Sequence, residues 1–148
     1  MTPFRFPLER VLDWRRLQMR AEEEKLAALQ HRLDLMNRRM SSLIAAEQKC
    51  EWGLRKQACL DGAELQALAA FQSQAKKQRE GLALEQRQCE KQIEAQRARL
   101  VKSRKDYRIL EKLKERRHQA WSYEADREVE NTAAEAHIAK FIRDRSDA

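Results

Sequence analysis

The residues with the clearest chemical character in this sequence are the cations of RILEKLKERR, residues 108–117. Guanidinium and ammonium groups at such density bind anionic groups, carboxylates or phosphates above all. The block therefore predicts a contact with a negative surface, either elsewhere on the chain or on another molecule. Its five cations are Arg108, Lys112, Lys114, Arg116 and Arg117.

Side chains that could perform catalysis or hold a metal ion are scattered along the chain. No C-x-x-C pair occurs, and no phosphate-binding loop of the form G-x-x-x-x-G-K-[ST]. We interpret the histidines as helix-surface residues and the cysteines as reduced thiols, two of them, Cys50 and Cys89, packed in helix seams. The sequence predicts no enzyme, no cofactor and no metal site. The residues concerned are His31, His118, His137, Cys50, Cys59 and Cys89.

The composition favours long helices over a compact domain. Charged residues make up 37% of the 148 positions and aromatic residues only 6%, with three glycines and two prolines. Such a mixture is typical of coiled coils. The apolar runs fall far short of the roughly 18 residues that span a bilayer, and MTPFRFPLER carries charges where a signal peptide needs its apolar region. We expect a soluble cytoplasmic protein.

Apolar residues recur at helical spacing through the first third of the chain. Steps of four and three from Leu8 to Gln57 meet an apolar residue at eleven of fifteen positions. A seam of about seven heptads predicts a coiled-coil helix. We place helix one at about residues 7–57, with Pro7 in the first turn, where a helix tolerates proline.

The segment CLDGAEL, residues 59–65, interrupts this seam. Asp61 and Glu64 have the spacing of a helix capping box. They predict a turn over about residues 58–61 and a second helix over about residues 62–130 or beyond. Its looser seam runs through Leu65, Leu68, Ala75, Leu82, Cys89, Ile93, Leu100, Tyr107, Leu110 and Trp121.

One turn between two long helices predicts an all-α fold. We expect residues 1–148 to form a single domain, a long antiparallel two-helix coiled-coil hairpin with an overhanging C-terminal helix. A turn centred near residue 59 places residue i opposite about residue 118 − i. Residues beyond about 118 then lack a partner on helix one, and the C-terminal tail is expected to fray. A hairpin this thin predicts an interaction scaffold.

The hairpin would gather the positive charge at one end. Residues 1–20 carry a net charge of +3 and residues 100–117 a net charge of +5, out of +7 for the whole chain. Because like charges on adjacent helices repel, this concentration is not expected to serve the fold and predicts an anionic partner. Three other roles for this charge remain open. The cations could simply be solvated on the outer face of the coiled coil, or they could bind an anionic membrane surface. They could also bind nucleic acid whose bases stack on Trp14, Tyr107 and Trp121, although no nucleic-acid-binding motif is recognisable.

Two stretches, FRFPLERVL at residues 4–12 and RILEKLKERR at residues 108–117, resemble the two end signatures of the FliJ family. FliJ proteins are small cytoplasmic components of the flagellar type III export apparatus. The resemblance covers about residues 4–130 and includes the restart AELQAL after the central turn. It implies an antiparallel coiled coil similar to the central γ stalk of rotary ATPases.

The resemblance also implies partners. Family members insert their paired terminal ends into the hexameric ring of the export ATPase and promote its assembly. They connect it to the cytoplasmic domain of the membrane export gate, and they bind export chaperones. For this chain it implies a non-enzymatic role in flagellum biogenesis, motility and chemotaxis, at the inner-membrane face of the basal body and without nucleic acid as a partner.

The implied binding sites lie at opposite ends of the hairpin. The residues expected to face the ATPase ring are Arg5, Arg10, Arg15, Arg16, Arg104, Arg108, Lys112, Lys114, Arg116 and Arg117. Those expected to contact the export gate are Leu43, Ala46, Cys50, Phe71 and Ala75. Because Leu43 and Ala75 also lie in the seams, Phe71 is the main surface candidate. The remaining alternatives are an injectisome type III secretion stalk protein, a generic basic scaffold and a nucleic-acid-binding protein.

Overall fold

Two long helices account for most of the chain. The computed structural model describes residues 2–146, and no strand occurs among them. Helix α1 spans Glu9–Arg55 and helix α2 spans Gly62–Ser146. The two helices pack against each other, which confirms the predicted all-α fold. Neither helix contains, over the described residues, a stretch apolar and long enough to cross a membrane.

The first residues of α1 are set by a turn. The Glu9 N–H donates to the Phe6 carbonyl at 3.2 Å, and the Leu12 N–H donates to the Leu8 carbonyl at 2.9 Å. Pro7 lies within this turn, just before the helix. Its missing N–H has no intrahelical partner to lose there, so proline is tolerated.

One of the two hydrogen bonds of the predicted capping box lies at the start of α2. The Glu64 carboxylate accepts a hydrogen bond from the Asp61 N–H at 3.3 Å. The Asp61 carbonyl accepts the first intrahelical bond, from the Leu65 N–H at 3.1 Å. The side chain of Glu64 thereby satisfies a backbone donor that the helix end leaves without a partner.

The described residues form two compact units, each containing part of both helices. One unit joins the residues up to Met19 with those from Ser103 onward, and the other contains residues 20–102. In the first unit, Leu12 and Phe6 are 2% and 7% exposed. These two side chains anchor the start of the chain on α2, and truncating a buried leucine such as Leu12 to alanine costs about 2–5 kcal/mol.

The core of the second unit is an apolar cluster midway along its helices. Its buried members are Met36, Cys89 and Ile93, and half-buried leucines pack against them. Cys89 is therefore a seam residue, as predicted. The packed leucines are Leu26, Leu29 and Leu33.

Burial falls away toward the turn. No described residue between Met36 and Ala75 is buried. Cys50 and Leu65, which we assigned to the seams, are both exposed, so those two assignments are wrong. In a two-helix hairpin, a seam residue is buried only when seam residues above and below it along the helices also cover it. Near the turn this cover is missing on one side, so the side chains there stay exposed.

Pairing in the second unit is antiparallel and follows the expected register at its centre. The Cys89 thiol lies 3.5 Å from the Leu29 carbonyl, and the Gln96 amide donates to the Glu22 carbonyl at 3.1 Å. Longer side chains also contact residues that are not directly opposite in this register. For example, the Gln86 amide donates to the Asn37 side-chain oxygen at 2.8 Å. Because side chains lean toward the N-terminus of their own helix, long residues on antiparallel helices reach partners about one turn away.

The last part of α2 is helical but unpacked. The helix continues to Ser146, and every described residue from 126 onward is exposed. A helical segment without tertiary contacts is only marginally stable in water. Fraying of this tail and the single-domain organisation both stay predictions.

Candidate partner-binding surfaces

Two of the cations predicted to face a partner join α1 to α2. The Lys114 ammonium lies 2.7 Å from a Glu9 carboxylate oxygen. The Arg15 guanidinium lies 3.1 Å from an Asp106 carboxylate oxygen. These partly exposed ion pairs each contribute at most about 1 kcal/mol. The expectation that the clustered charge does not serve the fold is therefore wrong for Lys114 and Arg15.

Two further cations lie over aromatic rings of the first unit. The Arg117 guanidinium carbon is 5.9 Å from the centroid of the buried Phe6 ring, and that of Arg16 is 5.7 Å from the Tyr107 ring. A hydrogen bond with Tyr107 raises the pKa of Arg16, and the nearby Asp13 carboxylate acts in the same direction. Contacts of this kind stabilise a cation in place, so both guanidinium groups are partly committed to the fold.

The remaining exposed cations differ from these four. Arg108, Lys112 and Arg116 follow one another at intervals of four residues on α2, so they form one ridge on its surface. Like charges at this spacing repel by a few tenths of a kcal/mol. Arg104 continues the ridge and has an interaction within the chain. The predicted cations that make no hydrogen bond, ion pair or ring contact with another described residue are Arg5, Arg10, Arg108, Lys112 and Arg116.

An aromatic cluster that we did not predict holds the N-terminal segment on α2. The Phe4 ring lies 5.0 Å from the His118 ring and 5.9 Å from the Trp121 ring. The Trp121 indole N–H donates to the Thr2 carbonyl at 3.2 Å. The cluster extends the contacts to residue 121, past the predicted start of the overhang. Arg5 lies beside Phe4 in this anchored segment, which fixes its backbone near α2.

The cluster was missed because an extended segment carries no periodic signal. FRF at residues 4–6 contains two large apolar rings outside any helix. Large aromatic side chains usually pack against other apolar groups. Two such rings in a non-helical segment therefore indicate that the segment packs on a helix. Trp121, which we considered as a base-stacking residue, is committed to Phe4 and Thr2 instead.

The residues predicted to contact the export gate have different accessibilities. Phe71 is 39% exposed, and Ala46 and Cys50 are also exposed. Leu43 is half-buried in its seam. Ala75 is only 4% exposed and is a core residue, so its side chain is covered in this packing.

Several large apolar side chains near the turn are exposed and were not predicted as binding residues. Trp52 is 61% exposed, and the Lys56 ammonium lies 5.0 Å from its ring. The Gln72 amide donates to the Glu51 carboxylate at 3.2 Å. Since Gln72 follows Phe71 and Glu51 precedes Trp52, the two aromatic residues lie at a similar height along the two helices. Exposed aromatic and aliphatic residues are common anchors of protein interfaces. We name three of them, together with the predicted Phe71, the turn-end residues: Trp52, Leu60, Leu65 and Phe71.

Comparison with known protein families identifies a match. A family model described as the flagellar FliJ protein matches residues 4–145. No curated protein and no solved structure matches the chain. The matched range contains both basic segments, the turn and most of the exposed part of α2.

Proposed function

The chain belongs to the FliJ family of flagellar type III export proteins, and from this premise we propose that it is a non-enzymatic stalk protein of the export ATPase. Its paired terminal segments bind the centre of the ATPase hexamer and promote its assembly and activity. The membership carries the coarse assignment to flagellar export. The specific partner and the residues that bind it are our proposal.

The observation that best supports this proposal is the ridge of Arg108, Lys112 and Arg116. These cations are exposed and make no hydrogen bond or ion pair with another described residue. Their mutual repulsion works against the helix, so the sequence retains them at some expense to its own stability. A partner surface rich in carboxylates offsets that repulsion on binding and also accelerates association.

The contrast with the neighbouring cations supports the same interpretation. Lys114 lies two residues from Lys112 in the sequence, yet it is held by Glu9 on α1. Lys114 is half-buried and reaches the other helix, whereas Arg108, Lys112 and Arg116 are exposed, so these three charges remain available to another molecule. The unpaired ridge, with Arg5 and Arg10, is the part that we assign to the ATPase.

We further propose that the turn end contacts the cytoplasmic domain of the export gate. Phe71 is the main candidate, and Ala46, Cys50 and half-buried Leu43 are further candidates. Trp52 is added because its side chain is 61% exposed. Ala75 supports this surface from the core. The proposal has three further parts. The chain binds export chaperones, it regulates the ATPase in motility and chemotaxis, and it associates peripherally with the cytoplasmic membrane face at the basal body.

The direct test is a titration of the native chain into the purified export ATPase of the same organism. We expect ATP hydrolysis and hexamer formation to rise with added chain. Because the contact is electrostatic and exposed, with screening over about 8 Å at physiological ionic strength, the stimulation is expected to fall as salt is added. A parallel titration into DNA and RNA tests the alternative. Tight nucleic-acid binding with a steep salt slope, and an indifferent ATPase, would reject the assignment.

A further inference from the structure

The second unit contains one buried polar side chain among its described residues, and it lies in the helix seam. Gln96 is 5% exposed, between the seam positions of Ile93 and Leu100. Its amide donates to the Glu22 carbonyl at 3.1 Å and also to the Glu22 carboxylate. One residue on each helix thus forms a polar layer in which the Gln96 side chain is buried. The other polar contact between the helices near the seam of this unit, the ion pair of Arg79 and Glu47 at 3.3 Å, lies closer to the turn and leaves the Arg79 side chain 39% exposed.

The turn is poorly suited to fix how α1 and α2 align. No described residue between Met36 and Ala75 is buried, and the loop between the helices is short and exposed. Losing one helical turn on one side of the loop and gaining one on the other would shift the pairing by about one heptad, and no buried side chain lies there to oppose the change. The alignment must therefore be fixed by contacts within the seam.

The apolar part of the seam discriminates weakly between alignments one heptad apart. Its members are leucines, a methionine, a cysteine and an isoleucine, which pack with one another in several combinations. A slip of one heptad in one direction would place Gln96 opposite Leu29 and Glu22 opposite Ser103. In the other direction Gln96 would face Arg15 and Glu22 would face Cys89. Neither slip offers the Gln96 NH2 group a carboxylate, because Leu29 is apolar and Arg15 is itself a donor, and the loss of an acceptor by a buried amide is disfavoured.

We propose that the contact between Gln96 and Glu22 is the register lock of the two helices within residues 20–102. A single polar layer in a coiled-coil core is known to specify register at the expense of stability. The layer selects the alignment in which both acceptors of Glu22 meet the Gln96 amide. This role is independent of the proposed binding to an ATPase.

The experiment compares helix alignment in the native chain with that in a variant carrying Glu22→Leu and Gln96→Leu. Spin labels at the exposed positions His31 and Arg87 report the distance between helices, with the exposed Cys50 and Cys59 replaced by serine and buried Cys89 retained. The native chain is expected to show one narrow distance distribution. The leucine variant is expected to melt at a higher temperature and to show a second population, with the labels displaced along the helix by roughly 10 Å, one heptad at 1.5 Å per residue.

Two controls separate a register lock from a general loss of order. Asn37→Leu with Gln86→Leu removes an exposed amide pair, joined at 2.8 Å in the same unit, and should keep one distribution. Glu22→Gln retains both the carbonyl acceptor and a polar side chain, and should keep the native alignment as well. A single native distribution in the Glu22→Leu, Gln96→Leu variant would overturn the proposal. So would equal broadening in the Asn37, Gln86 control.

Discussion

Lys114 on α2 and Glu9 at the start of α1 form an ion pair of 2.7 Å. Lys112, only two residues earlier, is exposed and makes no such contact with a described residue. Two lysines of the same basic block therefore have different environments: Lys114 is paired within the fold, and Lys112 is exposed, which is why we propose that it binds a partner. Substituting each of these two lysines in turn therefore tests which charges stabilise the fold and which bind a partner.

Lys114→Gln is expected to lower the free energy of unfolding by up to about 1 kcal/mol, the range of an exposed ion pair. Lys112→Gln should change it by no more than a few tenths of a kcal/mol, because it relieves like-charge crowding along the ridge. Urea unfolding followed by circular dichroism measures both. In the ATPase titration the order reverses, with the larger loss of stimulation for Lys112→Gln. Equal effects of the two variants in both assays would contradict the division of the block.

Gly81→Ala is expected to raise the free energy of unfolding by about 0.5–1 kcal/mol, because glycine is a poor residue for a helix interior. Gly81 lies well inside α2, and a Cβ atom built there meets nothing within 4 Å. The midpoint of urea unfolding reports the change. Gly62→Ala serves as the control, because Gly62 is also free of contacts but stands at the first position of α2. Gly62→Ala should therefore raise the free energy of unfolding by less. If Gly81→Ala lowered that free energy instead, another residue would have to lie close to position 81.

The stability of the protein should decline in acid partly through Glu22. A hydrogen bond from Gln96 lowers the pKa of Glu22 in the folded chain, and Lys25 acts in the same direction. A carboxyl group with a lowered pKa stabilises the fold above its ordinary pKa, and this contribution is lost as the pH falls through the lowered value. Thermal unfolding over a pH series should show this decline in the native chain and a shallower one in Glu22→Gln. Identical pH profiles would mean that the carboxylate makes no difference to folding.

Phe71→Ala should weaken binding to the cytoplasmic domain of the export gate and leave the melting temperature nearly unchanged, because Phe71 is 39% exposed. Leu84→Ala is a matched truncation of a residue on α2 that is 58% exposed, and it should affect neither property. Calorimetric binding and thermal melts measure the two effects. A loss of about 2–5 kcal/mol of stability in Phe71→Ala, as for a core truncation, would assign the ring to packing.

Features that depend on local sequence or on period were predictable here. The capping box of Asp61 and Glu64 needs only a spacing of three residues, and its hydrogen bond from the Asp61 N–H to the Glu64 carboxylate is present at 3.3 Å. The seam positions of Cys89 and Ile93 follow from the heptad repeat, which also gives the antiparallel pairing once the turn is located. The family resemblance rested on the two end signatures, and the family match confirms it.

Features that depend on side-chain reach were not predictable from the sequence. The pairing of Lys114 with Glu9 results from the lean of both side chains along antiparallel helices, which a count of charges ignores. Phe4 lies in an extended segment, where no period predicts its contact with Trp121. Cys50 continues the repeat of α1 perfectly well, but the repeat does not reveal where packing layers end.

The central claim is that the ridge of Arg108, Lys112 and Arg116 serves the ATPase and not the fold. Its most direct test is stimulation of the purified export ATPase by a variant in which all three are changed to glutamate. The control changes Lys77, Arg87 and Lys91 to glutamate, which alters the net charge equally at exposed positions of the second unit. We expect the ridge variant to unfold within about 1 kcal/mol of the native chain and to lose stimulation and hexamer assembly, while the control retains both. Full stimulation by the ridge variant, or equal loss in the control, would contradict the account.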